Sequence, residues 1–159
     1  MQPETEPVTP YRRWRYALKP ASWPKLFVPA FVGQAIGAAH LGGVDLVSAA
    51  GGLGLTFLLL GAIVLSNDLA DREVDGLKRR LFPTSCSPKT IPDGILSAGQ
   101  VALGALVFTA AAIGFGYFCN EWLGRPLMGI ATLGALAVFA GYSLWPLKLN
   151  YRGGGELLE

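Results

Sequence analysis

The chain has few charged residues, two cysteines and one histidine, and each shortage narrows what the protein can be. Only 15% of its 159 residues are charged and 52% are hydrophobic, which is typical of a protein that crosses a membrane several times. The net charge of +2, without a basic stripe interleaved with aromatic residues, argues against nucleic-acid binding. The cysteines form no C-x-x-C pair, and no glycine-rich phosphate loop is present. Soluble nucleotide-binding and zinc-binding classes are therefore not favoured.

Four uncharged stretches are each long enough to cross a bilayer, which takes about 18 residues. Glycine is frequent in all four, and this suits close helix packing in lipid. We therefore predict an all-α, polytopic transmembrane bundle with four spanning helices. The uncharged stretches are Leu26–Val44, Leu46–Asn67, Gly94–Asn120 and Pro126–Leu147. The spans are expected near residues 24–44, 46–67, 95–119 and 126–146.

The distribution of Lys and Arg predicts the orientation. Of the 13 basic residues, all except Arg125 fall on one side of the predicted spans. The positive-inside rule makes that side cytoplasmic, as in a protein of the bacterial inner membrane. Residues 1–21 are expected to be a cytoplasmic tail with an interfacial segment, and residues 22–159 to form the membrane domain.

The most informative stretch follows the second uncharged run and has four carboxylates within nine residues. On a helix with about 100° between residues, three aspartates and one asparagine share an arc, while Glu73 faces the other way. The residues on that arc are Asn67, Asp68, Asp71 and Asp75. Aspartates on one face repel each other and gain from a cation between them. Oxygen ligands favour Mg²⁺, which keeps positions for phosphate oxygens, so the stretch predicts a metal–diphosphate site at the membrane surface.

The same spacing also fits a solvent-exposed helix end that is stabilised by ion pairs. Asp68 and Arg72 are i,i+4 neighbours, and Asp75 precedes Lys78 by three residues. The spacing does not separate this interpretation from the metal site.

Basic residues follow the acidic ones in the order expected where a diphosphate is held. Lys78, Arg79 and Arg80 come directly after the aspartates, and prolines and Gly94 then predict a loop that covers the site. A basic anchor that only sets the topology explains these charges but not the aspartate spacing. After the fourth span, Lys148 and Arg152 add two more positive charges on the same side.

Three segments resemble the UbiA-type membrane prenyltransferases. The first is the motif N-D-x-x-D-x-x-x-D at residues 67–75, which continues through the basic residues 78–80. The second is the R-P-L-x-x-G-x-L-S segment at residues 89–97, where Lys89 replaces the usual Arg and Thr90 the usual Pro. The third is the Y-S-x-P-P-L-K-x-x-Y-R-G-x-G-E segment at residues 142–156, whose version here is commonest in quinone-pathway members such as naphthoate prenyltransferases.

The resemblance implies an all-helical transferase with about nine spans, which joins a polyprenyl diphosphate to an acceptor that is usually aromatic. By this resemblance Asp68, Asp71 and Asp75 are the catalytic residues, and together with Asn67 they hold Mg²⁺. The implied diphosphate-binding residues are Asn67, Lys78, Arg79, Arg80, Lys148 and Arg152. Membrane lipid is the surrounding partner.

The family has a second motif, D-x-x-x-D, after its sixth helix, and these 159 residues end before that point. We therefore expect half of the metal site here, and the other half from a C-terminal portion or a partner. The alternatives are a non-catalytic membrane fragment and a piece of a cation carrier or channel, which would place its acids in mid-span. A CDP-alcohol phosphotransferase is disfavoured because Asp75-Gly76 lacks the Ala-Arg continuation of that motif.

Overall fold

The computed structural model describes residues 9–85, 89–144 and 146–152. In this part of the chain the secondary structure is six α-helices and two 3₁₀ turns, with no β-strand, so the all-α prediction is confirmed. The helices are α1 (Pro10–Leu18), α2 (Trp23–Leu41), α3 (Leu46–Ala70), α4 (Arg72–Leu81), α5 (Ala98–Trp122) and α6 (Met128–Ser143). The 3₁₀ turns are Pro20–Ser22 and Leu149–Tyr151. Cys86 and the glycines 153–155 lie outside the described residues.

Two of the helices, α3 and α5, are long and apolar enough to cross a membrane, each with 25 residues. The apolar part of α2, Phe27–Leu41, and the whole of α6 are shorter. Helices therefore form at all four predicted places, but the prediction of four spans is supported for only two of them. Helix α2 ends at Leu41, three residues before the predicted end of the span. The reason is that Gly42 takes a left-handed conformation with φ of 74°, which residues with a Cβ rarely adopt.

Helix α3 packs mainly against α5, and α5 packs against α6. Glycines allow the close approach: a Cβ on Gly61 would lie 2.3 Å from the ring of Phe108, and one on Gly104 would lie 2.7 Å from the ring of Trp14. Trp14 belongs to α1, so Gly104 is where the N-terminal helix docks on the bundle. The buried core beside it consists of Ala17, Leu65, Leu96, Val101 and Ala105.

An ion pair joins two connections at the end of the bundle opposite the aspartate motif. Asp45 caps the N-terminus of α3 by accepting bonds from the backbone N–H groups of Val47 and Ser48. The same carboxylate pairs with Arg125, in the connection between α5 and α6. Arg125 is the basic residue that the sequence placed apart from all the others, and the structure also places it at the far end of α3 from the aspartates.

The docking of α1 predicts opposite effects for two glycine substitutions on α5. Gly104→Ala is expected to lower the free energy of unfolding by about 1–3 kcal/mol, because the new methyl group collides with Trp14. Gly114→Ala is the matched control: nothing lies within 4 Å of its Cβ position, so helix propensity should raise stability by roughly 0.5–1 kcal/mol. Thermal unfolding in lipid nanodiscs measures both. Equal midpoints for the two variants would contradict this docking.

Candidate functional site

The aspartate motif lies at a bend between two helices. Asp71 separates α3 from α4 and has φ of −94° and ψ of 3°. The bend is slight, since the Asp71 N–H still donates to the Asn67 carbonyl (2.9 Å) and the Asp75 N–H donates to the Asp71 carbonyl (2.8 Å). Asp68 belongs to α3, Asp75 to α4, and Asp71 to the joint between them, while these i→i−4 hydrogen bonds continue the helical register across the joint.

Asp68 is buried, with 7% of its surface exposed, and each of its two carboxylate oxygens has a partner. The ammonium of Lys19, directly after α1, forms an ion pair with Oδ1. The hydroxyl of Thr90, itself 2% exposed, donates to Oδ2 over 2.5 Å. An isolated carboxylate would be costly to bury, so these two contacts are what permit Asp68 to lie inside the protein.

Asp75 and Asp71 have their own partners. Asp75 is 8% exposed and its Oδ1 lies 2.8 Å from Lys89 Nζ. Asp71 accepts a hydrogen bond of 2.8 Å from the hydroxyl of Tyr151. Glu73 points away from this group, with 87% of its side chain exposed, as the sequence predicted.

The ion pairs at the motif join distant parts of the chain. Lys19 comes 49 residues before Asp68, and Lys89 lies beyond the turn that follows α4. The local pairs suggested by sequence spacing, with Arg72 and Lys78, are not the contacts that bury these two carboxylates. The solvent-exposed, locally paired helix end is therefore not what the structure has at Asp68 and Asp75.

A bidentate ion pair fixes the segment that carries Lys89 and Thr90. Arg79 on α4 donates from Nε and Nη2 to the two carboxylate oxygens of Asp93, over 2.7 and 2.6 Å. Asp93 also accepts the backbone N–H of Lys89 over 2.8 Å. The hydrogen bonds from Arg79, and then that from Lys89, hold the pKa of Asp93 below its usual value. This arrangement persists at neutral pH and holds residues 89–93 against α4.

The other predicted diphosphate residues lie around the same end of the bundle. Lys78 and Arg80 are exposed on α4, and Arg152 is exposed after the final 3₁₀ turn. Lys148 lies over the ring of Tyr151, with Nζ 5.6 Å from the ring centroid. Asn67 is half-buried and holds the bend through its backbone carbonyl.

The predicted metal ligands fit Mg²⁺ in chemical type but not as they are now arranged. Among the described residues, no three His, Cys, Asp or Glu side chains are close enough to hold one metal ion together. Carboxylate and amide oxygens are the ligands that Mg²⁺ prefers. However, Asp68 and Asp75 already contact the ammonium groups of Lys19 and Lys89. A cation bound between these aspartates would take the place of those ammonium groups.

Four contacts of the site were missed by the sequence reasoning. The contacts of Lys89 and Thr90 could have been suspected from the sequence, because both residues differ from those usual in the family motif. Thr90 in particular supplies a hydroxyl group that a proline could not. Tyr151 lies in a recognised segment but had no assigned role. For Lys19, the positive charge was the only feature in the sequence that pointed to a contact with a carboxylate. Its backbone φ of 49°, unusual for a non-glycine residue, could not be predicted from the sequence.

The hydrogen bond between Tyr151 and Asp71 should make a contribution to stability that depends on pH. The hydrogen bond to Asp71, together with burial and the charges of Asp71 and Asp75, raises the pKa of Tyr151 to about 12. Its stabilising contribution is therefore complete below the unfolded pKa of about 10 and is lost as the pH rises toward 12. In absorbance titrations of tyrosinate, Tyr151→Phe should remove the tyrosine whose pKa is raised. Asp71→Asn should lower the pKa of that tyrosine. If a tyrosine with this raised pKa is still observed in Tyr151→Phe, the assignment is contradicted.

These features together define an all-helical protein with long apolar helices and a mixed acidic and basic site at their ends. The chain matches the UbiA prenyltransferase family over residues 26–154, and it therefore belongs to that family. A comparison with curated proteins and one with solved structures each found no match. The family and the two long apolar helices make this a membrane protein with a function of the prenyltransferase type. Enzymes of this family generally depend on Mg²⁺ and use a prenyl diphosphate and a membrane acceptor.

Proposed function

We propose that this chain supplies the first half of the active site of a Mg²⁺-dependent enzyme that transfers a polyprenyl group from its diphosphate to an aromatic quinone precursor in the membrane. The observation that carries the proposal is the bend at Asp71. Three aspartates follow one another along the chain there, two of them buried, each with its own partner and with lysines and arginines nearby at the end of a long apolar helix. Opposite charges at such a place suit a metal-bound diphosphate better than a cation path, whose acids would lie in mid-span.

Each residue has a proposed role. Asp68, Asp71 and Asp75, with Asn67 assisting, would hold Mg²⁺, and that ion when bound neutralises charge on the diphosphate leaving group. The cationic side chains proposed to bind the remaining phosphate charge are Lys78, Arg80, Lys148 and Arg152. Arg79 differs from them, because its pairing with Asp93 makes it a residue that positions Lys89 and Thr90 beside the aspartates.

The reaction needs little covalent chemistry from the protein. The allylic C–O bond breaks, the electron pair leaves with the diphosphate, an acceptor carbon attacks the allylic cation, and the acceptor then loses a proton. Cationic side chains stabilise the growing negative charge. The site must also exclude water, which would otherwise trap the cation.

The proposed function also requires a topology in the membrane. We infer that α2, α3, α5 and α6 all cross the bilayer and that the aspartate motif faces the cytoplasm. No aspartate follows Asp93 in this sequence. The four residues of the motif are therefore proposed as one half of the metal site, and the family implies a second aspartate motif for the other half.

Transfer of a labelled polyprenyl group to hydroxylated aromatic acids, measured in membranes that contain the intact enzyme, tests this function. Product formation should require Mg²⁺ and stop when a chelator is added. Undiminished product formation in excess chelator would show that the aspartates do not serve a metal–diphosphate site.

A further inference from the structure

One side of helix α4 is covered by the turn that follows the helix. On this side Asp75 is buried and contacts Lys89, and Arg79 is paired with Asp93. With about 100° between residues, the positions of Asp75 and Arg79 differ by only about 40° around the helix axis. Residues 89–93 therefore lie against a narrow side of α4, and its other sides face away from them.

The opposite side of α4 carries a row of exposed apolar residues, here called the apolar stripe. It consists of Val74, Leu77 and Leu81, which fall within an arc of about 60°. These residues are 38%, 52% and 63% exposed, although the helix is otherwise strongly charged. An apolar row along one face of a charged helix is typical of a surface that packs against another molecule.

The direction of α4 argues against the bilayer as the cover of the apolar stripe. Helix α3 is long and apolar enough to cross a membrane, and the hydrogen bonds through Asp71 continue its register into α4. Helix α4 therefore continues roughly along the direction of α3. At 1.5 Å per residue, Leu81 lies about 15 Å beyond Asp71 in that direction, which is away from the lipid.

The spacing of the apolar stripe is that of a parallel two-stranded coiled coil. Intervals of three and four residues place Val74, Leu77 and Leu81 at heptad positions a, d and a. A β-branched residue at a with leucine at d favours two parallel strands. A second copy of this chain has the same distribution of basic residues and therefore the same orientation in the bilayer. A two-fold axis along the bilayer normal then makes the two α4 helices parallel.

The charges beside the apolar stripe suit a second copy of the same helix. Glu73 is at position g, and Lys78 is at position e of the next heptad. In a parallel pair, these two positions lie next to each other across the interface, so each Glu73 faces the Lys78 of the other copy. The Glu73 side chain is 87% exposed and lies 3.8 Å from Arg72, so it is accessible for this contact.

We propose that the apolar stripe joins two copies of this chain through a short parallel coiled coil at the end of the bundle that carries the aspartate motif. Asp75 and Arg79 are at positions b and f, so pairing leaves the covered side of each α4 unchanged. A helix of 10 residues makes a weak contact in solution, but the bilayer confines both copies and raises their effective concentration. The pairing is therefore reversible, and it does not depend on the proposed function.

Disulfide cross-linking of the full chain in phosphatidylcholine liposomes tests the geometry. The background carries Cys86→Ser and Cys119→Ala, so that each variant has one introduced cysteine. Val74→Cys and Leu77→Cys should form dimers at least about fivefold faster than Gly76→Cys, because only positions a and d bring equivalent residues within disulfide range. Gly76 is a suitable control because no described atom lies within 4 Å of its Cβ position.

An exchange of charges tests whether the partner is a second copy. Energy transfer between fluorescently labelled chains measures pairing, without metal or diphosphate, over a series of protein-to-lipid ratios. Glu73→Lys and Lys78→Glu should each weaken pairing about tenfold, because two attractive contacts in each dimer become repulsive. The combined variant should restore pairing to within about twofold of the unchanged chain.

The apolar contact has its own matched pair of variants. Leu77→Ala should weaken pairing by about tenfold or more, because each dimer loses two apolar side chains from its interface. Leu106→Ala, an equally apolar and 65% exposed residue on α5, should leave pairing unchanged. Circular dichroism checks that each variant is folded.

Three outcomes would overturn the proposal. One is equal cross-linking of Val74→Cys and Gly76→Cys, which includes the case of an antiparallel pair joined only at Leu77→Cys. Another is a combined charge variant that pairs no better than Glu73→Lys. The third is quenching of a probe at position 77 by spin-labelled lipid without energy transfer at any ratio, which would assign the apolar stripe to the membrane surface. Failure of the proposed function would instead appear as prenyl transfer in excess chelator, whatever the pairing.

Discussion

Replacement of Asp71 or Asp75 by asparagine should lower Mg²⁺-dependent prenyl transfer by the intact enzyme by about 10²-fold or more. Each substitution removes a charged oxygen that is proposed to hold Mg²⁺, while it keeps the size of the side chain. Asp75 is buried, so its loss also leaves Lys89 without the carboxylate it contacts at 2.8 Å. Single-turnover transfer measured at several Mg²⁺ concentrations is the appropriate assay, because it separates weaker metal binding from slower chemistry.

Glu73 provides the matched control for these variants. It lies within the same motif and carries the same charge, but its side chain is 87% exposed. Glu73→Gln should therefore leave the transfer rate within about twofold of the unchanged enzyme. If Glu73→Gln and Asp75→Asn reduce the rate equally, general surface charge and not a built site would explain the motif.

The second large effect is expected from the two lysines that now neutralise the aspartates. Lys19→Met or Lys89→Met leaves a buried carboxylate without its ammonium, which should lower the free energy of unfolding by about 1–3 kcal/mol in the absence of metal. The same change removes the group that competes with a cation. Divalent-cation affinity should therefore rise, roughly tenfold, by the reciprocal coupling of two ligands at one site.

Thermal unfolding with and without Mg²⁺ measures both parts of this prediction. The lysine variants should have lower midpoints without Mg²⁺ and a larger increase when it is added, since ligand binding stabilises the folded state in proportion to affinity. Lys78→Met, an exposed lysine on α4, is the control and should change neither quantity. A smaller Mg²⁺-induced increase in Lys89→Met than in the unchanged chain would mean that Lys89 supports the metal instead of replacing it.

The helices and the position of the aspartate motif could be predicted because both depend on local sequence. The uncharged runs gave α3 and α5 within a few residues, and the direction of Glu73 followed from helical periodicity alone. The ends of α2 and α6 also lie within three residues of their predicted positions, although two of them depend on single backbone conformations. Gly42 ends α2, and the left-handed Leu127, with φ of 73°, precedes α6.

The partners of the aspartates could not be predicted from local spacing. Asp68 is paired with Lys19 because Trp14 docks α1 onto Gly104, and this packing connects residues 49 positions apart. The rule for i,i+4 pairs favoured Arg72 because it considers only one helix. Likewise, Thr90 reaches Asp68 because the Arg79–Asp93 ion pair folds the turn back against α4.

Binding of Mn²⁺ to the chain in nanodiscs, followed by electron paramagnetic resonance with pyrophosphate present, tests most directly whether the aspartates form a metal–diphosphate site. The unchanged chain and Glu73→Gln should bind the ion with similar affinity, and pyrophosphate should strengthen that binding. Asp75→Asn should weaken it by about tenfold or more. Mn²⁺ binding that is equal in Asp75→Asn and in the unchanged chain, or that does not respond to pyrophosphate, would contradict the proposed site.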